Sequence, residues 1–191
     1  VNINLVTATQ FIPSLAEGIT LARSKGLALP VVWNSSGFED LEALKIIDPL
    51  VDVYLPDCKT LDKQTAERLF SCAEYPYRVK ETLLMMARKG NPVFDSCGML
   101  IKGLVMRHLV VPGYLESTRE VLSWYAANLK NTALLSLMVQ YINPSSPDIA
   151  NVRESPHPCP TGSITDKDYD SIIDTLNELD IEEGFIQEQS G

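Results

Sequence analysis

This sequence of 191 residues lacks the short motifs that would assign it to several common enzyme classes. It has no GxGxxG after a predicted strand, no Walker A loop and no GxSxG nucleophile elbow. These absences argue against a Rossmann dinucleotide site, a P-loop nucleotide site and an α/β-hydrolase triad. Any chemistry must therefore come from residues that no short motif identifies.

Cysteine and histidine are scarce and are not grouped as metal ligands. The two histidines, His108 and His157, show no zinc spacing with the cysteines, and no two cysteines form a CxxC pair. In a chain of this length and hydrophobicity such cysteines indicate reduced thiols, and we predict a cytoplasmic location. The four cysteines are Cys58, Cys72, Cys97 and Cys159.

Long apolar runs and excess positive charge are also missing. No apolar run reaches the roughly 18 residues of a membrane span. The net charge is −9, with an isoelectric point near 4.7, which argues against a nucleic-acid surface or an anionic membrane as partner. We therefore predict neither a nucleic-acid nor a membrane partner.

The sequence has no initiator methionine and opens inside a strand pattern, Val1 to Val6. Domains rarely begin in the middle of a pattern. We therefore expect the natural protein to have residues upstream of Val1.

What the chain does contain is an alternation of apolar strands and amphipathic helices, about five times over. Strands buried on both faces and separated by helices are typical of a parallel sheet with helical crossovers, an α/β fold. The predicted strands are Ile3–Val6, Leu29–Trp33, Val51–Leu55, Leu104–Val111 and Ala133–Val139, with a short last strand at Phe185–Ile186.

The helix signals lie between these strands. Capping-box spacings predict helix starts at Ser14 and Ser117, and Thr165 is predicted to cap the last helix. Residues 93–94 and 99–101 flank an Asp-Ser-Cys-Gly turn and predict a hairpin. The other helices are predicted near Leu41–Ile47, Thr60–Ala73, Arg78–Arg88 and Arg119–Leu129. We assign residues 1–142 to one core, and residues 143–191 to an irregular arm and a helix packed on the same domain.

Polar side chains follow each predicted strand, and Arg107 lies inside an apolar one. The carboxyl ends of parallel strands meet at one edge, where α/β enzymes bind their ligands. A charged residue within a buried strand is costly unless it meets a partner or ligand, so Arg107 is the strongest candidate. The full set is Thr7, Thr9, Asn34, Ser35, Ser36, Asp57, Lys59, Arg107, Gln140 and Tyr141.

Each candidate also has a structural interpretation. Asn, Ser and Thr at strand ends are common loop and cap residues. His108 alternates to the face opposite Arg107, which favours a hydrogen-bonded core histidine. Cys58 could be a reactive thiol, but a small side chain facing away from the ligand edge is the simpler interpretation.

Four ordered segments resemble one family. They are Asn2-Ile-Asn-Leu-Val-Thr-Ala-Thr9, Asn34-Ser-Ser-Gly-Phe38, Val51-Asp-Val-Tyr-Leu-Pro-Asp-Cys-Lys59 and Gly103-Leu-Val-Met-Arg-His-Leu-Val-Val-Pro-Gly113. In this order they resemble radical S-adenosylmethionine (SAM) enzymes of the branch related to pyruvate formate-lyase activating enzyme. The resemblance runs from residue 2 to about 142, and Ile164–Gln187 resembles the tail of that branch.

The resemblance implies a partial (β/α) barrel. In the family, a CxxxCxxC loop after the first strand binds three irons of a [4Fe–4S] cluster, and SAM chelates the fourth. Reductive cleavage of SAM then yields a 5′-deoxyadenosyl radical that abstracts a hydrogen atom. Glycyl-radical enzymes as protein substrates and flavodoxin- or ferredoxin-type electron donors are the implied partners.

The resemblance also assigns roles by position. Thr7 and Thr9 replace a Gly-Gly-Glu that binds the methionine amino group. Asn34 and Ser36 face SAM or a bound cation, and Gln140 and Tyr141 lie beside the adenine.

By the same resemblance, Asp57, Lys59 and Arg107 form the predicted catalytic group, with the positions that follow. Asp57 and Lys59 lie near the ribose and carboxylate of SAM. Arg107 meets the SAM carboxylate or the substrate, because a guanidinium can bind a carboxylate through two hydrogen bonds.

One departure from the family is decisive. The sequence has no CxxxCxxC, and its first strand matches the second strand of the family. We therefore expect this chain alone to bind neither SAM nor a [4Fe–4S] cluster and to be inactive. We also expect Ile3–Val6 to be an unpaired edge through which the chain self-associates.

Two other functions remain open from the residues alone. One is a non-redox (β/α) lyase or isomerase that uses Lys59 as base or Schiff-base nucleophile. The other is a non-catalytic binding module that has lost the cysteine loop.

Overall fold

The computed structural model describes residues 1–143 and 160–186, which form one seven-stranded sheet with six α-helices. The strands are β1 (Ile3–Val6), β2 (Val31–Ser35), β3 (Val53–Pro56), β4 (Val93–Phe94), β5 (Leu100–Leu109), β6 (Leu134–Met138) and β7 (Gly184–Ile186). The helices are α1 (Ile12–Ser24), α2 (Leu41–Ile47), α3 (Lys63–Phe70), α4 (Tyr75–Met86), α5 (Leu115–Asn128) and α6 (Asp166–Glu178).

The sheet has the order β1-β2-β3-β5-β6-β7, and all five of these pairings are parallel. Only β4 is antiparallel, as the predicted hairpin partner of β5. In the order of the parallel strands each one lies beside the next along the chain. Since crossovers between parallel strands are right-handed as a rule, this order places the helices on one face of the sheet. This is the expected α/β architecture: an unclosed, mostly parallel sheet consistent with a partial (β/α) barrel.

The two faces of the sheet differ in burial. The helix-covered face carries fully buried side chains such as Trp33, Tyr54 and Met106. Towards the carboxyl ends of the strands, residues of alternate register on the other face, including Asn34 and Arg107, are only partly buried. We call this second surface the open face. It carries the polar side chains at the carboxyl ends of the strands.

Two predicted helix starts are wrong. Ser14 lies inside α1, which begins at Ile12 without a side-chain cap and carries a proline in its first turn. Ser117 lies inside α5, where its hydroxyl is 2.6 Å from that of Thr60 instead of capping the helix. In both cases the chain turns into the helix earlier, so the hydroxyl is no longer at the N-cap position.

Other element boundaries shift by a few residues. Helix α4 begins at Tyr75 instead of Arg78, because proline is compatible with the first helical turn. Strand β2 is displaced to Val31–Ser35, so Asn34 and Ser35 are strand residues and not loop residues. The capping box of α6 is confirmed, with Thr165 and Asp168 bonded reciprocally. Most of the predicted irregular arm, residues 144–159, lies outside the described residues.

Within the described residues, no helix is both long enough and apolar enough to cross a membrane. The last helix lies along the same layer as the others. Arg119 on α5 donates to the Ser171 hydroxyl of α6 at 2.7 Å, and β7 extends the sheet beyond β6.

Candidate functional site

Three polar side chains from three strands meet on the open face at the carboxyl edge of the sheet. Nη2 of Arg107 lies 2.7 Å from Oδ1 of Asp57 and 2.7 Å from Oδ1 of Asn34. The side chains of Arg107 and Asp57 are 24% and 29% exposed, so the pair is shielded but reachable. We call Asn34, Asp57 and Arg107 the strand-end triad.

Backbone pairing sets the position of each member of the triad. Asp57 extends β3 by one isolated bridge to Arg107 on β5. Its amide donates to the Ser35 carbonyl at 2.9 Å, and the Cys58 amide donates to the Arg107 carbonyl at 2.8 Å. Since register partners in a parallel sheet share a face, the Asp57 and Arg107 side chains emerge side by side.

Arg107 has hydrogen-bonding capacity that the described residues do not use. Both of its bonds go through Nη2, and its buried Nε has no partner among residues 1–143 and 160–186. A buried donor without an acceptor is destabilising by about 1–3 kcal/mol. A guanidinium with free donors is suited to a carboxylate or phosphate, which accepts two parallel bonds.

Thr7 lies next to the triad in a strained conformation. Its φ is +51°, in the left-handed region that β-branched residues rarely adopt, and its amide donates to the Asn34 carbonyl at 2.9 Å. Backbone strain of this kind is concentrated at binding sites. Thr7 therefore presents backbone groups beside Asn34.

The hydroxyl of Thr9 is directed to another partner. It donates to the Glu39 carboxylate at 2.9 Å, and the second oxygen of Glu39 is 3.3 Å from Nε1 of Trp33. Glu39 is only 2% exposed. Thr9 thus ties the loop after β1 to the loop after β2.

Ser36 and Lys59 lie on the rim of the site. The Ser36 hydroxyl accepts a long 3.4 Å bond from the Phe38 amide. Lys59 is exposed, and its Nζ lies 5.5 Å from the centre of the Phe70 ring. Neither side chain contacts the triad.

Gln140 and Tyr141 follow β6 at the same edge of the sheet. Gln140 is exposed, and Tyr141 donates its hydroxyl to the Pro160 carbonyl at 3.2 Å.

His108 and Cys58 belong to the helix-covered face, as their alternation predicted. The His108 Nδ1 lies 2.7 Å from the Cys58 carbonyl, so it carries the proton, and Nε2 accepts from Thr118 at 3.0 Å. Burial lowers the pKa of His108 to about 4 and raises that of the Cys58 thiol to about 12. His108 is a neutral core histidine, and Cys58 is a protonated thiol without nucleophilic character.

The structure adds residues that the sequence interpretation missed. Ser136 is the register partner of Arg107 on β6 and shares its face. A serine inside the apolar run of β6 was the signal that could have identified it. Tyr75 and Glu39, which hold the strand-end loops, gave no comparable signal.

The cysteines do not form a metal site within the described part of the chain. No group of three His, Cys, Asp or Glu side chains there could hold a metal ion. Cys58, Cys72 and Cys97 are free thiols, and Cys159 lies outside the described residues.

Comparison with known structures supports the interpretation of the fold. The chain superposes with a TM-score of 0.64 on the crystal structure of a domain of pyruvate-formate lyase-activating enzyme from Bacteroides vulgatus, covering 98% of each chain. The similarity establishes the fold. The sequence identity is 9%, so the likeness extends to the architecture and not to individual residues.

Sequence comparison gives a narrower result. No family model matches the chain. An uncharacterized protein of Methanocaldococcus jannaschii is 32% identical over 114 residues, which are 59% of this chain. The matched region spans 30% of that relative's length.

Proposed function

We propose that this chain is the SAM-binding core of a radical SAM enzyme related to pyruvate formate-lyase activating enzyme. The observation that carries the proposal is the strand-end triad, in which Arg107 offers unused donors at the carboxyl edge of a fold shared with such an enzyme. Ligands of open parallel sheets bind outside the carboxyl ends of the strands.

The donor set suits SAM. Arg107 would bind the methionine carboxylate through its free guanidinium donors, and the Asp57 carboxylate would accept from a ribose hydroxyl. The backbone of Thr7, beside Asn34, would receive the methionine ammonium. Bound SAM would supply a 5′-deoxyadenosyl group as hydrogen-atom acceptor, and the protein would orient it.

The [4Fe–4S] cluster does not fit the described residues. They contain no group of three metal-ligating side chains, and the whole sequence has no CxxxCxxC. The proposal therefore requires cluster ligands from outside this sequence. Within the whole protein we propose a cytoplasmic enzyme that acts on a glycyl-radical enzyme or another protein substrate, with a flavodoxin- or ferredoxin-type electron donor.

The test uses the natural full-length protein, reconstituted anaerobically with iron and sulfide, reduced and supplied with SAM. We expect 5′-deoxyadenosine formation, and we expect Arg107→Ala to lower it by about 10- to 100-fold, the value of one or two charged hydrogen bonds. Arg119→Ala is the control, since Arg119 pairs with Glu116 and Ser171 on the helix side.

Two further measurements make the result specific. Equal iron content in wild type and Arg107→Ala would show that the loss is not a loss of cluster. Calorimetric titration of residues 1–191 with SAM measures whether this chain binds SAM in the absence of the cluster. If full-length protein with an intact cluster neither bound nor cleaved SAM, the proposal would be overturned, and trapping of Lys59 with a carbonyl substrate and borohydride would test the lyase alternative.

A further inference from the structure

One buried hydroxyl joins the segments that follow β2 and β3, the two strands that position Asn34 and Asp57 of the strand-end triad. Tyr75, the first residue of α4, is 4% exposed. Its hydroxyl lies 2.9 Å from the Ser36 carbonyl and 3.0 Å from the Asp57 carbonyl, and it accepts from the Lys59 amide at 3.0 Å. A phenol has one hydrogen, so the two carbonyls share it, while its lone pairs receive Lys59.

The ring of Tyr75 is fixed as firmly as its hydroxyl. Phe38 stacks on it with ring centres 6.1 Å apart and an interplanar angle of 13°. Phe70 packs against it at 5.9 Å and 53°. Burial raises the pKa of the Tyr75 phenol well above its ordinary value, so it keeps its proton and remains a donor at all ordinary pH values.

The two loops approach each other closely at this point. A Cβ on Gly37, which has φ +74°, would lie 2.4 Å from the Asp57 carbonyl oxygen and 2.9 Å from a methyl carbon of Val79. The loop after β2 therefore rests directly on the backbone of Asp57. At this contact the Tyr75 hydroxyl binds one carbonyl from each segment, that of Ser36 after β2 and that of Asp57 after β3.

We propose that Tyr75 is a positioning residue of the ligand site, whose hydroxyl holds the β2 and β3 loops together so that Asn34 and Asp57 meet the same nitrogen of Arg107. The chain of contacts is short. Tyr75 binds the Asp57 carbonyl, the Asp57 side chain binds Arg107, and Asn34 lies two residues before Ser36. The positioning role is argued from these contacts alone, and only the identity of the ligand, SAM, rests on the proposed function.

The matched pair of variants is Tyr75→Phe and Tyr125→Phe. Both remove a buried phenol that binds a backbone carbonyl and leave the ring in place. The Tyr125 hydroxyl donates to the Ala133 carbonyl at 2.6 Å, next to the amino end of β6 and away from the triad. If Tyr75 merely stabilises the fold, the two variants will behave alike at the site.

The first readout needs no ligand. Hydrogen exchange of the Arg107 guanidinium, followed by nitrogen-15 NMR and assigned with Arg107→Lys, reports how tightly Asp57 and Asn34 hold it. We expect exchange to be about tenfold faster in Tyr75→Phe, the equivalent of one hydrogen bond, and unchanged in Tyr125→Phe.

The second readout is the affinity for SAM, measured on the natural full-length protein as the dissociation constant by calorimetry and as the KM. We expect both constants to rise about tenfold in Tyr75→Phe alone. If wild type binds SAM and both variants bind equally well, the inference is overturned while the proposed function stands. If the full-length wild type with an intact cluster does not bind SAM, the proposed function fails, and the exchange of Arg107 alone decides the inference. Faster exchange only in Tyr75→Phe supports the inference, and equal rates in the two variants refute it.

Discussion

Adjacent residues on β5 have different surroundings, because successive side chains of a strand point to opposite faces of the sheet. Arg107 points to the open face, where its side chain is partly exposed. It donates to Asp57 and Asn34, and its Nε donor is unused by the described residues. His108 points to the helix side, is 2% exposed and is satisfied on both nitrogens. A charge can be kept only on the side that a ligand or water can reach, because burying an unpaired charge is costly.

At this scale we predict that His108 makes the protein sensitive to acid. Its pKa in the folded chain is about 4, below the ordinary histidine value of 6.5, because burial disfavours the charged ring. Between those two pH values the unfolded chain binds a proton that the folded chain does not. Its contribution is therefore complete above about pH 6.5 and is lost as the pH falls towards 4. The loss is on the order of 3 kcal/mol in the free energy of unfolding.

Urea denaturation between pH 7 and 4 checks this prediction. His108→Gln has no group that titrates in this range and should be less stable at pH 7 but lose less stability on acidification. The carboxylates titrate equally in both proteins, so the difference between the two curves isolates His108. Parallel curves would show that His108 does not carry the effect.

At the scale of elements, strands and helices were predictable to different degrees. The five main strands were each found within a few residues, because a buried parallel strand is an uninterrupted apolar run. The helix starts at Ser14 and Ser117 were wrong, because the Ser-x-x-Glu spacing also occurs within helices. At Thr165 the same kind of signal was right, since the chain there enters α6 in the extended conformation a cap requires.

We therefore predict opposite outcomes for two hydroxyl deletions. Thr165→Ala removes the hydroxyl half of the capping box of α6, in which the Asp168 amide donates to the Thr165 side chain, and should destabilise the protein by about 1 kcal/mol. Ser14→Ala should be neutral or slightly stabilising, because Ser14 caps nothing and alanine is the better helix former. Thermal or urea unfolding of the two variants measures the difference, and equal losses would contradict the assignment of the two caps.

At the scale of the molecule, the sheet is open. Within the described residues β1 pairs only with β2, and alternate residues of β1 direct their backbone groups away from it. Val6 is 60% exposed at this edge. Unpaired apolar edges favour pairing with another chain, which was the expectation from the sequence and stays a prediction.

The test is concentration-dependent association of this chain by light scattering or sedimentation. We expect self-association, and we expect Val6→Lys to weaken it by placing a charge on the edge. Leu21→Lys is the matched control, because Leu21 is 56% exposed on α1, away from the edge. A monomer at high concentration, or equal weakening by both variants, would rule out β1 as the contact.

The sequence by itself determined the α/β alternation, the strand that carries Arg107 and the placement of Arg107 and His108 on opposite faces of that strand. These features follow from the local spacing of apolar residues, which can be read from a short stretch of the sequence. Only the tertiary structure decided that Asn34, Asp57 and Arg107 meet. It places Lys59 over the Phe70 ring and the Thr9 hydroxyl against Glu39 instead. It also decided that Tyr75 binds partners 16 and 39 residues away along the chain. The physical reason is that hydrogen bonds between loops depend on how strands and helices pack. That packing depends on residues far apart along the chain, so no single segment of the sequence shows it.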